Sequence, residues 1–200
     1  MADSLVSEHP ELGMLRNHRV QRAKLLEAMV QVVAEKGYEA ATVADAVRVA
    51  KVSRGTFYEL FESKQACLVA AYRLGTEVLE ERISAAVTEA KDWREELRLG
   101  LRAYLVALST EPRFARVHLL AWEALGADRD DALRGFAQRY GKSFARSGRP
   151  VPPDDALFVL AAGVDQLVRS KLRAGEDVIE LEDTLVSCAV RFASKEEAWT

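Results

Sequence analysis

The sequence predicts an all-α protein with a small N-terminal domain of short helices and a larger C-terminal domain of longer helices. Three observations predict this class. Apolar residues recur at helical spacing along most of the chain, and no segment alternates in the manner of a strand. The 11 glycines and 5 prolines are too few for a linker-rich chain. Two hundred residues suffice to bury a core without disulfides or metals.

Composition excludes several classes of protein. Hydrophobic residues make up 49% and charged residues 30%, as in ordinary globular proteins. The longest apolar run, 156–164, is less than half of the roughly 20 residues that cross a bilayer, so we expect no membrane span. The first residues lack the features of a secretory signal, which favours a cytoplasmic location. Cys67 and Cys188 sit among apolar neighbours and are predicted to be reduced core thiols.

Charge is unevenly distributed. Residues 15–66 carry nine Lys and Arg against six Asp and Glu, whereas residues 67–200 carry nineteen against twenty-two. A basic N-terminal quarter attached to an acidic remainder indicates an anionic partner for the first part only.

The first predicted helices are short, and capping residues or a glycine mark their ends. An apolar stripe predicts a helix over 19–36 that ends at Gly37, after a tail over 1–18. Thr42 then caps a second helix, with Asp45 in a capping-box arrangement, and Ser53 caps a third. Helices this short are unstable alone, so they must pack as one domain over 19–66.

Longer helices are predicted in the domain over 67–200. Gly126 and Gly175 are predicted to end two of them, and the Pro-rich stretch 147–153 is predicted to be a loop. The last two helices, at about 154–174 and 179–194, carry more apolar surface than one subunit hides. Paired with their copies, they would form a four-helix bundle in a homodimer.

The segment 42–64 predicts the DNA-binding function. Its apolar residues are spaced to bury against the first helix; they are Val43, Val47, Val52, Phe57 and Phe61. That burial turns other residues of the second helix outward, to face a major groove; they are Arg54, Gly55, Thr56 and Tyr58. Arg54 would reach a guanine or a phosphate, and Gly55 would let the backbone approach DNA closely. Thr42 and Lys64 are placed to hold phosphates on either side.

Residues 19–75 resemble the DNA-binding domain of the TetR (tetracycline repressor) family of transcriptional regulators. The matching positions are Lys36-Gly37-Tyr38, Thr42-Val43, Val52-Ser53, Gly55-Thr56-Phe57-Tyr58, Phe61 and Ser63-Lys64. The resemblance implies an N-terminal three-helix helix-turn-helix DNA-binding domain and a C-terminal helical ligand-binding and dimerisation domain. It also implies DNA contacts from Thr42, Ser53, Arg54, Thr56, Tyr58 and Lys64. The family usually has glycine where this chain has Lys51, which predicts a non-glycine residue in the left-handed region or a reshaped turn.

The resemblance also implies a homodimer that binds a palindromic operator on double-stranded DNA, most simply as a repressor that a small-molecule effector releases. Candidate ligand-binding residues lie on predicted core-facing stripes or interrupt an apolar helix; they are Tyr72, Tyr104, Phe114, His118, Trp122, Tyr140, Asp165 and Gln166. A packed core is the alternative interpretation of each. No phosphate loop, HExxH, ExxH or GxSxG motif is present, so we expect no enzyme, cofactor or metal. The alternative function is a helical ligand-binding or structural dimer with a vestigial helix-turn-helix.

Overall fold

The computed structural model describes residues 10–194 and, within them, the side chains of residues 16–119, 121 and 123–192. Every regular element in this part of the chain is helical, which confirms the all-α class. The helices are α1 (Pro10–Lys36), α2 (Val43–Ala50), α3 (Arg54–Leu60), α4 (Lys64–Ala86), α5 (Trp93–Thr110), α6 (Pro112–Leu120), α7 (Trp122–Arg146), α8 (Asp154–Ala174) and α9 (Glu182–Ser194), with a 3-10 turn over Val178–Leu181. None of the described helices is both long enough and apolar enough to cross a membrane.

The chain divides into two compact units, residues 1–72 and 73–200. In the first unit, α1 buries Leu25, Met29 and Val33 completely, as its apolar stripe predicts. The helix begins at Pro10 rather than near residue 19. It ends where predicted, because Gly37 has φ 79° and donates its N–H to the carbonyl of Val33 at 2.8 Å.

Helices α2 and α3 pack against α1. The anchors are aromatic: Phe57 is fully buried and Phe61 is nearly so, and their ring centroids lie 5.7 Å apart. The predicted valines at 43, 47 and 52 are only half-buried. Burial of Phe57 in α3 and of Phe61 directly after it therefore holds the motif together, since an isolated seven-residue helix is unstable.

The turn between α2 and α3 contains a left-handed residue. Lys51 has φ 55° and ψ 45°, and its N–H bonds the carbonyl of Val47, so it closes α2 in the position that favours glycine. The expectation of a left-handed lysine is confirmed. A side chain in this conformation costs roughly 1 kcal/mol.

The second unit is built around α5, α7, α8 and α9. Helix α8 packs along α7, and α9 packs along α5, around one buried apolar cluster. Trp93 at the start of α5 contacts Phe144 of α7 with ring centroids 5.9 Å apart. Asp92 begins α5 by accepting the N–H groups of Arg94 and Glu95.

Two predicted helix boundaries in this unit are wrong. Helix α6 ends at Leu120 rather than at the predicted Gly126, and Gly126 is a kink inside α7, with φ 46° and ψ −122°. Helical hydrogen bonding already resumes before that glycine, since Leu125 donates to the carbonyl of Ala121. The last helix begins at Glu182, after the 3-10 turn, rather than at 179.

The two cysteines differ. Cys67 is buried as predicted, and burial raises the pKa of its thiol to about 12. The prediction that Cys188 is a core thiol is wrong, because it is exposed in this chain. The inward residues of α9 include Leu185 and Ala189. Cys188 is one residue before Ala189, so its side chain is rotated by about 100° around the helix axis and lies outside this buried face.

Replacing Lys51 by glycine should stabilise the protein, because glycine adopts the left-handed conformation without a Cβ clash. We expect Lys51→Gly to raise the free energy of unfolding by about 1 kcal/mol. Urea denaturation measures this change. Lys51→Ala is the matched control: it removes the same charge but keeps the strain, so an equal gain from alanine would contradict this account.

Candidate nucleic-acid interface and a buried charged cluster

The first unit presents one side of α3 to the outside. Because Phe57 faces inward and an α-helix turns by about 100° per residue, its neighbours face outward. Arg54 and Gly55 are exposed, Thr56 is half-exposed, and 49% of Tyr58 is exposed. The residues predicted to face outward therefore do so. Their contact with DNA remains a prediction.

Both predicted caps form. The hydroxyl of Thr42 accepts the N–H of Asp45 at 3.1 Å, and the hydroxyl of Ser53 accepts the N–H of Thr56 at 2.9 Å. The Ser53 and Thr56 hydroxyl oxygens also lie 2.9 Å apart. Because that bond uses only one proton, the pair keeps a second O–H that can point away from the protein.

The carboxylate of Asp45, on α2, contacts three neighbouring polar side chains. It accepts the Thr42 hydroxyl proton at 2.7 Å and pairs with Lys36, also at 2.7 Å. Arg48 lies 3.4 Å from the same carboxylate. The hydrogen bonds from Lys36 and Thr42 hold the pKa of Asp45 well below its usual value, so this carboxylate is ionised at neutral pH.

The ammonium group of Lys64 interacts with Tyr38 within the protein. Its ammonium donates to the carbonyl of Tyr38 at 2.8 Å and lies 4.0 Å from the centroid of the Tyr38 ring. An ammonium has three protons, so this bond leaves others for a phosphate. The side chain is held at the end of the loop after α1, and its contact with DNA stays a prediction.

Arg54 and Tyr58 stand one turn apart on α3. The Arg54 guanidinium lies 5.7 Å from the centroid of the Tyr58 ring. Among the described residues, Arg54 has no carboxylate partner within ion-pair distance. A Cβ added at the neighbouring Gly55 would meet only the Ser53 hydroxyl, at 3.5 Å, so the protein itself does not require glycine there.

Three aromatic candidates of the second unit, Tyr104, Phe114 and Tyr140, are partly buried and pack against its core. Tyr104 contacts Phe136 with ring centroids 6.2 Å apart, and burial raises the pKa of Tyr140 to about 12. Phe114 covers Gly75, where a Cβ would come within 2.5 Å of the ring. These contacts fit the packed-core interpretation, and ligand binding by the same rings stays untested.

His118 and Asp165 meet in a buried charged cluster, which we define as His118, Arg129, Asp165 and Arg169. Nε2 of His118 lies 2.7 Å from Oδ1 of Asp165, and Arg129 donates to Oδ2 of the same carboxylate. Asp165 and Arg169 lie one turn apart on α8, and each is only 3% exposed. The cluster thus joins α6, α7 and α8.

The charges of this cluster influence one another. Burial alone would raise the pKa of Asp165, but the contacts with His118 and Arg129 outweigh it and hold the pKa below its usual value. Burial lowers the pKa of Arg169, and the positive charges of Arg129 and Arg173 act in the same direction. Asp165 is therefore the ionised centre that the surrounding cations share.

Not every candidate joins this cluster. Tyr72 belongs to the first unit, Gln166 is exposed, and the side chain of Trp122 lies outside the described residues. Sequence reasoning missed Arg129 and Arg169. The spacing of Arg169, four residues after Asp165, would have indicated an intrahelical pair. No comparable signal in the sequence places Arg129 beside them.

A model of the family described as "Bacterial regulatory proteins, tetR family" matches residues 25–71. The chain is 41% identical over 59 residues to YvdT, an uncharacterised HTH-type transcriptional regulator of Bacillus subtilis. This alignment covers 29% of this chain and 30% of that protein. It is 25% identical over 103 residues to the fatty acid metabolism regulator protein of the same organism, covering 52% and 53%. These alignments span less than two thirds of either relative.

A longer alignment joins the chain to the HTH-type transcriptional regulator BetI of Rhizobium meliloti, with 29% identity over 182 residues and 86% of each chain covered. Among solved structures, the fatty acid degradation regulator FadR of Bacillus halodurans matches with a TM-score of 0.75 at 20% identity, covering 84% of this chain and 94% of that one. FadR of Bacillus subtilis, solved with stearoyl-CoA, matches with a TM-score of 0.70 at 19% identity, covering 86% and 97%. Both structures share the fold.

Asp165→Asn should destabilise the second unit, since it removes the one buried carboxylate that the cluster shares. We expect a loss of about 3 kcal/mol in the free energy of unfolding at pH 7. Because the folded pKa lies below the unfolded value, the contribution of Asp165 is present above about pH 4 and is lost as the pH falls further. Urea unfolding of both proteins at several pH values measures the difference, which should shrink in acid.

Asp130→Asn is the matched control for this prediction. Asp130 lies 3.8 Å from Arg129 but is exposed, so its loss should change stability little. A difference between Asp165→Asn and the unaltered protein that stayed constant down to acid pH would contradict the role assigned to Asp165.

Proposed function

Because the chain belongs to the tetR family of bacterial regulatory proteins through residues 25–71, we propose that it is a DNA-binding transcriptional regulator whose second unit binds a small molecule. The observation that carries this proposal is the outward face of α3. Arg54, Gly55 and Tyr58 are exposed on a helix that two buried phenylalanines and the Ser53 cap hold in place.

In the proposed complex, α3 enters the major groove. Arg54 reads a base edge as a fork of donors, and Gly55 allows the backbone to come close. Phosphates are held by the polar residues around the helix, which fix its register without reading sequence. These residues are Thr42, Ser53, Thr56, Tyr58 and Lys64.

We further propose that the protein is a homodimer joined through α8 and α9. On α8, Val159, Gly163 and Leu167 follow one another at intervals of four residues and so lie on one face of the helix. Val159 is 66% exposed, and a Cβ added at Gly163 would meet no atom of the described residues outside its own helix backbone within 4 Å. A two-fold pair would place two α3 helices about 34–36 Å apart, the repeat of successive major grooves in a palindromic operator.

Regulation would follow from coupling between the binding of a small molecule and the binding of DNA. A small molecule that binds better to a conformer with wrongly spaced α3 helices would release the operator, so the protein would act in the cytoplasm as a repressor. A hundredfold preference for that conformer shifts the equilibrium by about 2.7 kcal/mol.

Selection of an operator from random duplexes, followed by a salt titration of binding, tests the proposal. A regulator with several phosphate contacts should lose affinity steeply as salt rises, and should bind the selected duplex far better than random DNA. Absence of any sequence preference would leave a helical ligand-binding or structural dimer with a vestigial helix-turn-helix.

Arg54→Ala should weaken operator binding and relax base preference. Loss of a bidentate contact to a base costs about 1–3 kcal/mol. Arg54→Lys keeps the charge but loses the fork, so it should retain affinity for random DNA while losing preference at the same base. Fluorescence anisotropy on the operator, a single-base variant and a random duplex measures both effects. Equal losses on all three for Arg54→Ala would remove its base-reading role.

Gly55→Ala separates folding from DNA binding. Since a Cβ fits within the protein and alanine favours helices, the variant should be as stable as the parent or more stable by about 0.5–1 kcal/mol. Its methyl group would nevertheless stand between the α3 backbone and DNA, so operator affinity should fall. Thermal unfolding and anisotropy report the two effects separately. Unchanged operator affinity would show that the backbone does not approach DNA at this position.

A further inference from the structure

The N-terminal part of α1 carries a concentration of positive charge. Between Glu11 and Glu27 the sequence has no carboxylate side chain, but it has four Lys and Arg side chains. Three of them follow one another at intervals of three residues, and we define Arg16, Arg19 and Arg22 as the basic stretch. All three are exposed. Residues at this spacing are neighbours on a helix surface, so the basic stretch forms one continuous strip of positive charge.

No carboxylate of the described side chains lies within ion-pair distance of the basic stretch. Other exposed arginines of the protein do have such partners; Arg98, for example, lies 3.1 Å from Glu182. Like charges one turn apart repel one another and destabilise a helix. A polyanion along the strip would relieve this repulsion, because each guanidinium would then lie beside a negative charge. The basic stretch is therefore complementary to a partner with closely spaced negative charges.

One end of the basic stretch lies beside the helix that we place in the major groove. The guanidinium of Arg22 lies 5.5 Å from the centroid of the Phe61 ring, directly after α3. Phe61 packs on Phe57, and the Phe57 ring meets that of Tyr58 edge-on, with centroids 5.4 Å apart. A continuous series of ring contacts therefore joins Arg22 to the outward face of α3. From Arg22 to Arg16 the helix rises by about 9 Å.

Duplex DNA has negative charge at the distance that this placement requires. A helix that lies in a major groove about 12 Å wide has a phosphate backbone on each side. The two strands together carry one phosphate for about every 1.7 Å of the duplex axis. Cations about one groove width away from α3 are therefore within reach of phosphates.

We propose that the basic stretch binds phosphates of the DNA backbone beside the groove that α3 enters. Arg16 and Arg19 make the contacts, and Arg22 lies against Phe61 at the end of the strip. Contacts with phosphates add affinity but no base preference. The inference rests on the proposed function for the place of α3 on DNA, and it extends the DNA contacts from the helix-turn-helix to the N-terminal part of α1.

A salt titration of the full-length protein on a random-sequence duplex of about 30 base pairs tests the inference, since phosphate contacts need no operator. Each phosphate contact that is lost reduces the slope of log affinity against log salt by about 0.9. We expect Arg19→Gln to reduce the slope by about 0.9, and Arg16→Gln combined with Arg19→Gln to reduce it by about 1.8. Fluorescence anisotropy measures the affinities. Glutamine favours helices about as well as arginine does, and circular dichroism checks that α1 persists.

Lys24→Gln is the matched control for Arg19→Gln. Lys24 is exposed on the same helix and loses the same charge, but it lies about 140° around the helix axis from Arg19. Its loss should change the slope by no more than about 0.3. An equal reduction from Lys24→Gln would show a general effect of net charge and overturn the inference, as would an unchanged slope in the double arginine variant.

A selected operator and its single-base variants separate phosphate contacts from base reading. The double arginine variant should lose affinity by the same factor on all of these duplexes. A loss confined to particular sequences would show groove reading instead and overturn the phosphate assignment. The assignment is also overturned if the slope on DNA is unchanged while the double variant binds more weakly than the parent to vesicles of phosphatidylglycerol and phosphatidylcholine, because the strip would then serve a membrane surface.

The sequence preference of the unaltered protein tests the proposed function separately. A protein that prefers its operator, but whose double arginine variant keeps the full salt slope, overturns this inference alone. A reduced slope without any operator preference overturns the proposed regulator and leaves the phosphate contacts of α1 in place. No binding to duplex DNA at low salt overturns both.

Discussion

Burial of Phe57 is the constraint on which the candidate DNA-binding surface depends. Helix α3 has only seven residues and cannot persist alone, so it exists because its phenylalanine is fully enclosed by the first unit. The same burial fixes the rotation of the helix. With Phe57 inward, Gly55 and Tyr58 face out, Arg54 is exposed at the first position of the helix, and the capping bond from Ser53 sets where the helix begins.

Polar side chains around this surface serve the fold as well as the proposed interface. Thr42 caps α2 and donates a hydrogen bond to Asp45, and Lys64 donates a hydrogen bond to the carbonyl of Tyr38. Such bonds limit the rotamers of groups that would otherwise lose conformational freedom on meeting DNA. Arg54, which has no carboxylate partner among the described residues, keeps its donors available. This division separates residues that position the helix from the residue proposed to read bases.

The second unit contains a buried charged cluster within its helical core. Its core is mostly apolar, but at the meeting of α6, α7 and α8 it buries a carboxylate among cations. An apolar arrangement of similar volume would often be no less stable, so stability alone does not account for the cluster. Strongly interacting charges of this kind are common at functional sites.

The spacing of apolar residues and the capping residues of the sequence determined the helical class, the caps at Thr42 and Ser53 and the outward side of α3, and the family resemblance indicated the left-handed Lys51. These features are local, since they depend on residues within about one helical turn or on a repeat of 3.6 residues. The kink at Gly126, the exposure of Cys188 and Gln166, and the joining of Arg129 to Asp165 depended on the tertiary structure. Arg129 and Asp165 are 36 residues apart, and which groups meet across helices is decided by packing angles and the rotation of each helix, which no local pattern encodes.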